Sequence, residues 1–457
     1  MKFAALSTLA LATAAVAQFE ASSMMKNKME FLMRIKTAHR EKQKSSGVFE
    51  QDKYKVTPAT ACNEGRAGEY SCENVDLTGH LTHEALGSTT REGNDIWGWT
   101  SEKGREFAIV GQTDGTSFVE ISKNGSLTFI GRLPTQTTSE IWRDMKVIGH
   151  HVYIVSEADG HGLQIFDLNK LPRIHKKPRI FDPKKDLTAW YSGIGSSHNV
   201  IANPESNRIV IVGAEPDAAC KGSNGGPIIL DVTKPSKPQL LGCFGQDGYC
   251  HDAIAITYRG IDTRFYGDEL IFCFSESKMT IINATNAREP VLVSRAYYDG
   301  SNGTGAYTHQ GWFVDEDRKY LLLDDERDEM RRVKTGEPGN TRTYVFDMSD
   351  LINPKWTGLY KSPVPAVDHN QYVVDGIAYQ ANYASGLRVV DVRNLADDPT
   401  GGNMKELAHF DCWPEDDEDP KVEFFGAWSS YAWFKSGIVV LNCIERGMFA
   451  LKVNIGY

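Results

Sequence analysis

Three observations predict an all-β fold, a seven-bladed β-propeller with a short N-terminal helical and linker arm. A short apolar strand that ends in an acidic or amide residue and then another apolar one recurs seven times, as SFVEIS (117–122), LQIFDL (163–168), PIILDV (227–232), MTIINA (279–284), TYVFDM (343–348), LRVVDV (387–392) and MFALKV (448–453). Four histidine-polar pairs, His198-Asn199, His251-Asp252, His309-Gln310 and His369-Asn370, recur at intervals of 53, 58 and 60 residues, each opening an apolar run. Helical periodicity is nearly absent after residue 60, and Gly, Asn, Asp and Pro mark the turns. Four short strands in roughly 45 to 60 residues are the blade signature of a propeller.

Residues 1–17 read as a secretory signal peptide. Met1-Lys2 precedes the apolar stretch FAALSTLALATAAV, and the small-x-small triplet Ala15-Val16-Ala17 precedes Gln18. No other run approaches the ~18 apolar residues of a membrane span, and the final LKVNIGY carries no tail anchor or lipidation motif. The expectation is a secreted, extracellular protein without a membrane anchor. The sequons at Asn124, Asn283 and Asn302 suit a glycoprotein in that compartment.

Residues 18–60 form the arm. Met25, Met29, Leu32 and Ile35 stand at helical spacing ahead of a basic tail and a polar linker. A propeptide or mobile arm and a helix docked on the propeller are both open at this level.

The propeller proper is expected over 61–457. First strands begin near Asn94, Arg143, His198, His251, His309, His369 and Gly426. The last blade runs out of chain after its third strand, MFALKV, so NVDLTGHL (74–81) is expected to supply its fourth and close the ring. The even cysteine count in an oxidising compartment predicts disulfides. Cys62 pairs with Cys72 across a Gly-rich turn, and Cys220–Cys243, Cys250–Cys273 and Cys412–Cys443 are taken from about 105 formal connectivities.

NDIWGW, SEADGHGLQIFDL, YTHQGW, LLLDDERDE, QANYASGLRVVDV and IERGMFAL, in that order along residues 60 to 453, closely resemble the secreted LVIVD-repeat proteins of the choice-of-anchor B family. The resemblance implies an exported seven-bladed propeller and no settled reaction. Members often end in a surface anchor; the final residues here show no such motif, and a freely secreted form is the expectation.

In a propeller the first strand of each blade is innermost, so the histidine pairs are expected to ring one mouth of the channel. His198, His251, His309 and His369 are then candidate ligands for one divalent transition metal, because neutral imidazoles at about 2 Å suit such ions. Three rings sharing a metal would bring their nitrogens to ~3–3.5 Å. Asp95 and Asp144 are expected across the same mouth, with Asp325, Glu445 and Arg446 from surrounding loops as ligand-binding residues. Asn199, Asp252, Gln310 and Asn370 are candidate partners that fix the imidazole tautomers. The bland alternative is that the pairs tie blades together through backbone hydrogen bonds. Loop histidines and carboxylates also admit a metal-assisted lyase or hydrolase acting on a polysaccharide, and binding of an extracellular glycan, protein or metal is the simpler reading. The net charge of −10 argues against nucleic acid. His80, His83, His150 and His151 read as surface residues, and the acidic runs 324–329 and 414–420 as solvated loops or cation holders.

Overall fold

The structure, a computed structural model, describes residues 28–456 apart from 30, 176, 215–219, 221 and 299–304. The leader 1–17, Met25 and the Asn302 sequon lie outside the described residues.

Seven sheets, numbered here as blades 1–7 and antiparallel except where the short strand Arg179–Ile180 adds in parallel to the edge of blade 1, make a closed propeller. Their inner strands are Gly93–Thr100, Arg143–Ile148, Asn199–Asn203, Asp252–Thr257, Thr308–Phe313, Asn370–Val374 and Ala427–Tyr431. The recurring third-strand motif has a local physical cause. Its closing acid or amide turns the chain by accepting the backbone N–H two residues on, as Asp167 does from Asn169, Asp231 from Thr233, Asn283 from Thr285, Asp347 from Ser349 and Asp391 from Arg393.

Alternation then distributes the apolar residues. On the second strand of blade 2, Val152 and Ile154 pack toward blade 1 while Tyr153 and Val155 pack toward blade 3. Both faces are buried, which explains the nearly unbroken apolar runs of these strands. Each of the seven blade interfaces holds one apolar cluster, and an eighth lies under the N-terminal helix.

The ring closes as expected. Val75–Leu81 pairs antiparallel with Gly447–Val453 as the outer strand of blade 7. The preceding strand Tyr70–Glu73 pairs with the outer edge of blade 6, so one N-terminal segment spans the seam. His80 and His83 depart from the surface reading, being 3% and 1% exposed. His80 stacks on Phe449 and its Nδ1 accepts the Thr57 N–H, while His83 Nε2 meets the Cys443 carbonyl. Residues 57–60 run along this outer strand, with Thr60 bridged to Leu77 and the Thr57 N–H on His80. His150 does lie at an exposed turn beside half-buried His151.

All four expected disulfides are present, and among the described residues no cysteine is free. Cys412–Cys443 joins the exit of blade 6 to the second strand of blade 7, at the seam. Replacing both cysteines by serine is expected to lower unfolding free energy by about 2–4 kcal/mol. Urea midpoints for the variant and the parent protein check this, and coincident curves would contradict it.

The arm is a helix docked on the propeller over residues 31–45, not a detached segment. Leu32 is buried, and Met29, Met33 and Ile35 pack on Trp142, Tyr307, Tyr383, Phe424 and Trp428. The predicted apolar face is therefore real, and it lies across the histidine mouth of the channel.

Candidate functional site

The four histidines stand at the strand starts of blades 3 to 6 and form a continuous arc. Ring centroids are 4.3 Å apart for His198–His251, 4.3 Å for His251–His309 and 4.5 Å for His309–His369. Tyr383 continues the arc 4.3 Å from His369, and Trp142 and Trp428 flank its ends. All four imidazoles are buried. His198, His251 and His369 precede their strands, and the pairing in blade 5 shifts register between Thr308 and Gly311. Strict side-chain alternation therefore does not govern these positions.

Each nitrogen does a different job. Nδ1 of His251 meets the His309 carbonyl at 3.0 Å, and Nδ1 of His369 meets the Trp428 carbonyl at 2.6 Å. A carbonyl only accepts, so both rings carry their proton on Nδ1 and keep the Nε2 lone pair. His198 Nδ1 donates likewise to Glu157 Oε1 at 2.5 Å. Burial, the neighbouring rings and the Lys36 ammonium hold His251 and His309 well below the usual imidazole range; burial and Lys36 do the same for His369. The staple reading and the ligand reading thus apply to opposite sides of the same rings.

The ligand set differs from three imidazoles in mutual contact. His251, His309 and Glu326 offer atoms all within 4.8 Å of one another, with Glu326 supplying the third position. Glu326 is fully buried and lies 3.9 Å from His309 Nε2 and 3.7 Å from His369 Nε2. Its Oε1 accepts from the Tyr383 hydroxyl at 2.8 Å and pairs with Lys36 Nζ at 2.5 Å, whereas Oε2 has no hydrogen-bond partner. His309 Nδ1 is also without one, 3.4 Å from Asp324 Oδ1. Glu276, one blade earlier, is buried, and burial pushes it up to about 8.

The other expected site residues are distributed differently. Asp95 and Asp144 lie deeper along the channel, holding Lys146 Nζ at 3.3 and 2.6 Å. Strand direction puts them below the mouth, since side chains two apart on the inner strands of blades 1 and 2 run down the channel wall. Asp325 faces away, accepting from the Tyr298 hydroxyl and the Tyr307 N–H; strand parity gives the mouth to its neighbour Glu326. Glu445 touches the arm, accepting from Gln43 Nε2 at 2.6 Å and the Gly426 N–H at 2.9 Å. Arg446 lies away from the imidazoles, paired with Glu415 and Glu69 and stacked over Tyr54. Asn199 and Asn370 bond to carbonyls of the next blade and Gln310 to the Gln371 N–H, so none of them orients a ring. Asp324, Asp325 and Glu326 are fully buried, which corrects the solvated-loop reading of that run.

Sequence reasoning missed Lys36 and Glu276. A signal for the acids exists: Glu157, Glu276, Glu326 and Glu445 each follow the second strand of a blade by one to two residues. Nothing in the periodicity of the arm distinguishes Lys36 from its basic neighbours.

A cavity opens at the opposite mouth, a basin of about 1110 Å³ whose lining includes Trp97, Trp312, Tyr372, Trp433, Lys146 and Asp252. Its aromatic rings pack on one another at 5.0–5.9 Å and close the channel from below. The basin is open; the histidine mouth is covered.

These features define a closed, disulfide-braced β-propeller with a buried imidazole-carboxylate mouth. No family model and no curated protein matches the chain. Among solved structures it is similar to the β-propeller domain of Cps50 (Swd1) from Myceliophteria thermophila, at 12% identity over 79% of this chain and 98% of that one, TM-score 0.49. It is also similar to the C-terminal WD40 domain of Sif2, at 10% identity over 88% of this chain and 96% of that one, TM-score 0.45. At this level neither likeness says what this chain binds.

Proposed function

We propose that the protein is a secreted propeller of the LVIVD-repeat kind whose function is binding, and that its histidine mouth takes one divalent transition-metal ion. The observation that carries the proposal is the pairing of imidazoles fixed in the neutral, Nδ1-protonated form with a buried carboxylate oxygen of Glu326 that has no donor. His251, His309 and Glu326 are the primary ligands, with His369 and His198 beside them. Nitrogen-rich sets with one carboxylate suit zinc and its neighbours. Four disulfides support an oxidising, extracellular setting, and among the described residues no helix is long and apolar enough to cross a membrane. Asn124 lies exposed in a turn and can carry a glycan, whereas the Asn283 amide is engaged with Asp268.

Metal-assisted lyase or hydrolase chemistry on a polysaccharide would require substrate at the same nitrogens. The spacing of these residues shows no nucleophile paired with a base, so binding is the better-supported reading. Elemental analysis of the purified protein and titration with Zn²⁺ or Co²⁺ test it, the expected stoichiometry being about one ion per chain. His309→Ala and Glu326→Gln are each expected to weaken the metal at least about tenfold. Unchanged affinity in both variants would overturn the assignment.

A further inference from the structure

We infer that Lys36 is an internal competitor for the metal at the histidine mouth, so that the N-terminal helix is a displaceable cover whose docking and metal binding exclude one another. This rests on the metal reading of the mouth.

The Lys36 side chain enters where a cation belongs. Nζ stands 2.5 Å from Glu326 Oε1 and 5.7, 5.2 and 5.8 Å from the ring centroids of Tyr383, Phe424 and Trp428. An ammonium among aromatic faces and one carboxylate is held both by charge pairing and by the ring quadrupoles. The carboxylate it holds is the one that completes the His251–His309 set. Its charge also reaches His251, His309 and His369, where it works against a second cation. Metal and ammonium therefore draw on the same negative charge within one buried volume.

The rest of the helix holds Lys36 in place. Arg40 pairs with Glu92, Gln43 donates to Glu445 and Lys28 donates to the Ala306 carbonyl. Leu32 is buried at the centre of the contact. Beyond the helix, residues 50–53 and 55–56 are exposed, and the chain is tied to the propeller by Arg91 donating to the Phe49 carbonyl, by the Asp52 N–H on Glu84 and by the Thr57 N–H on His80. Cys62–Cys72 lies past these ties, so the ring does not depend on the helix for its closure.

The cover also accounts for a mouth that is assembled and yet closed to solvent. A ligand that binds only the uncovered form sees its affinity reduced by the uncovered fraction; if that fraction is about 1%, the loss is about 100-fold.

The experiment is Zn²⁺ affinity, measured by competition with a chromogenic chelator, for the full mature chain, for Lys36→Met and for Leu32→Asp. Lys36→Met removes the competing charge at similar length, and Leu32→Asp undocks the helix without touching a ligand. Both variants are expected to bind Zn²⁺ about 10- to 100-fold more tightly than the parent. Saturating Zn²⁺ is expected to raise amide exchange across residues 31–45 of the parent. Equal affinity in all three proteins would overturn the competition while leaving the metal site standing. Absence of binding in all three would overturn the metal reading and the competition with it.

Discussion

A chain shortened to begin after Leu81 is expected to accumulate as aggregate and to yield no monomeric propeller. Residues 66–81 complete the outer edges of two blades at once, with Cys72 opposite Phe410 in blade 6 and Leu77 opposite Leu451 in blade 7. Their removal leaves two open strand edges side by side, which is a template for intermolecular pairing. It also strips Tyr70, Val75 and Leu77 from the seam cluster, uncovering Phe410 and Phe449. Each such buried side chain contributes about 1.5–3 kcal/mol, so the three together rival the 5–15 kcal/mol that is typical of a whole domain. Size-exclusion chromatography of the truncated and parent proteins measures the outcome. A monomeric truncated protein with the parent's unfolding midpoint would mean that the ring does not depend on this closure.

Lys146→Met is expected to lower stability by about 3–5 kcal/mol at neutral pH. Lys146 is the cation of a buried layer, 2.6 Å from Asp144 and 3.3 Å from Asp95, with its ammonium 4.6 Å from the Trp97 ring centroid. Burial works against this ammonium, but Asp144 and Asp95 outweigh it and hold it above its usual range. Burial likewise opposes the Asp144 carboxylate, and Lys146 and the Asp95 hydrogen bond bring it below the usual range, while burial keeps Asp95 well above. Protonated Asp95, the Asp144 anion and the Lys146 cation balance one another, and buried Asp252 beside them is pushed up by burial to about 7. Methionine fits the length and restores the ring contact, but it leaves the Asp144 charge buried and unpaired.

The pH dependence follows from those directions. In the parent, the depressed Asp144 contributes stability that is present above its ordinary pKa near 3.9 and lost below it. In the variant the same carboxyl becomes a raised acid, whose cost is full above its folded pKa, shrinks as pH falls below it and is gone below the ordinary pKa near 3.9. The stability gap between the two proteins should therefore be widest above pH 7 and narrow toward pH 5. Adding Asp144→Asn to Lys146→Met should recover most of the loss. Urea unfolding at a series of pH values decides it; a gap independent of pH would assign the loss to packing instead.

Seven blades, their inner-strand starts, the closing strand and the Cys62–Cys72 pairing were legible in the sequence, because each depends on local alternation, turn chemistry or chain order; the other three cysteine pairs join segments that only the folded ring brings together. The repeated third-strand acid is an example: Asp231 and Asp391 turn their own backbone, a bond spanning two residues. The arc of His198, His251, His309 and His369 followed from the same repeat, since equivalent positions in consecutive blades meet at the axis. What only the tertiary structure decided was the content of the mouth. Asp325 and Glu326 differ by one position, and the parity of a strand next to a register shift chose Glu326. Asp95 and Asp144 carry the same charge as that glutamate, yet a lysine two residues past Asp144 claimed them for a layer below. Arg446 went to Glu415 and Glu69, groups that sequence spacing does not relate to it. Lys36 reaches Glu326 across nearly the whole ring because an amphipathic helix needs an apolar surface, and the aromatic rim of the mouth is the surface it found. Periodicity reports which residues are equivalent; which of them meet an ion, a proton or a lysine depends on contacts between distant segments, and those are made only when the ring closes.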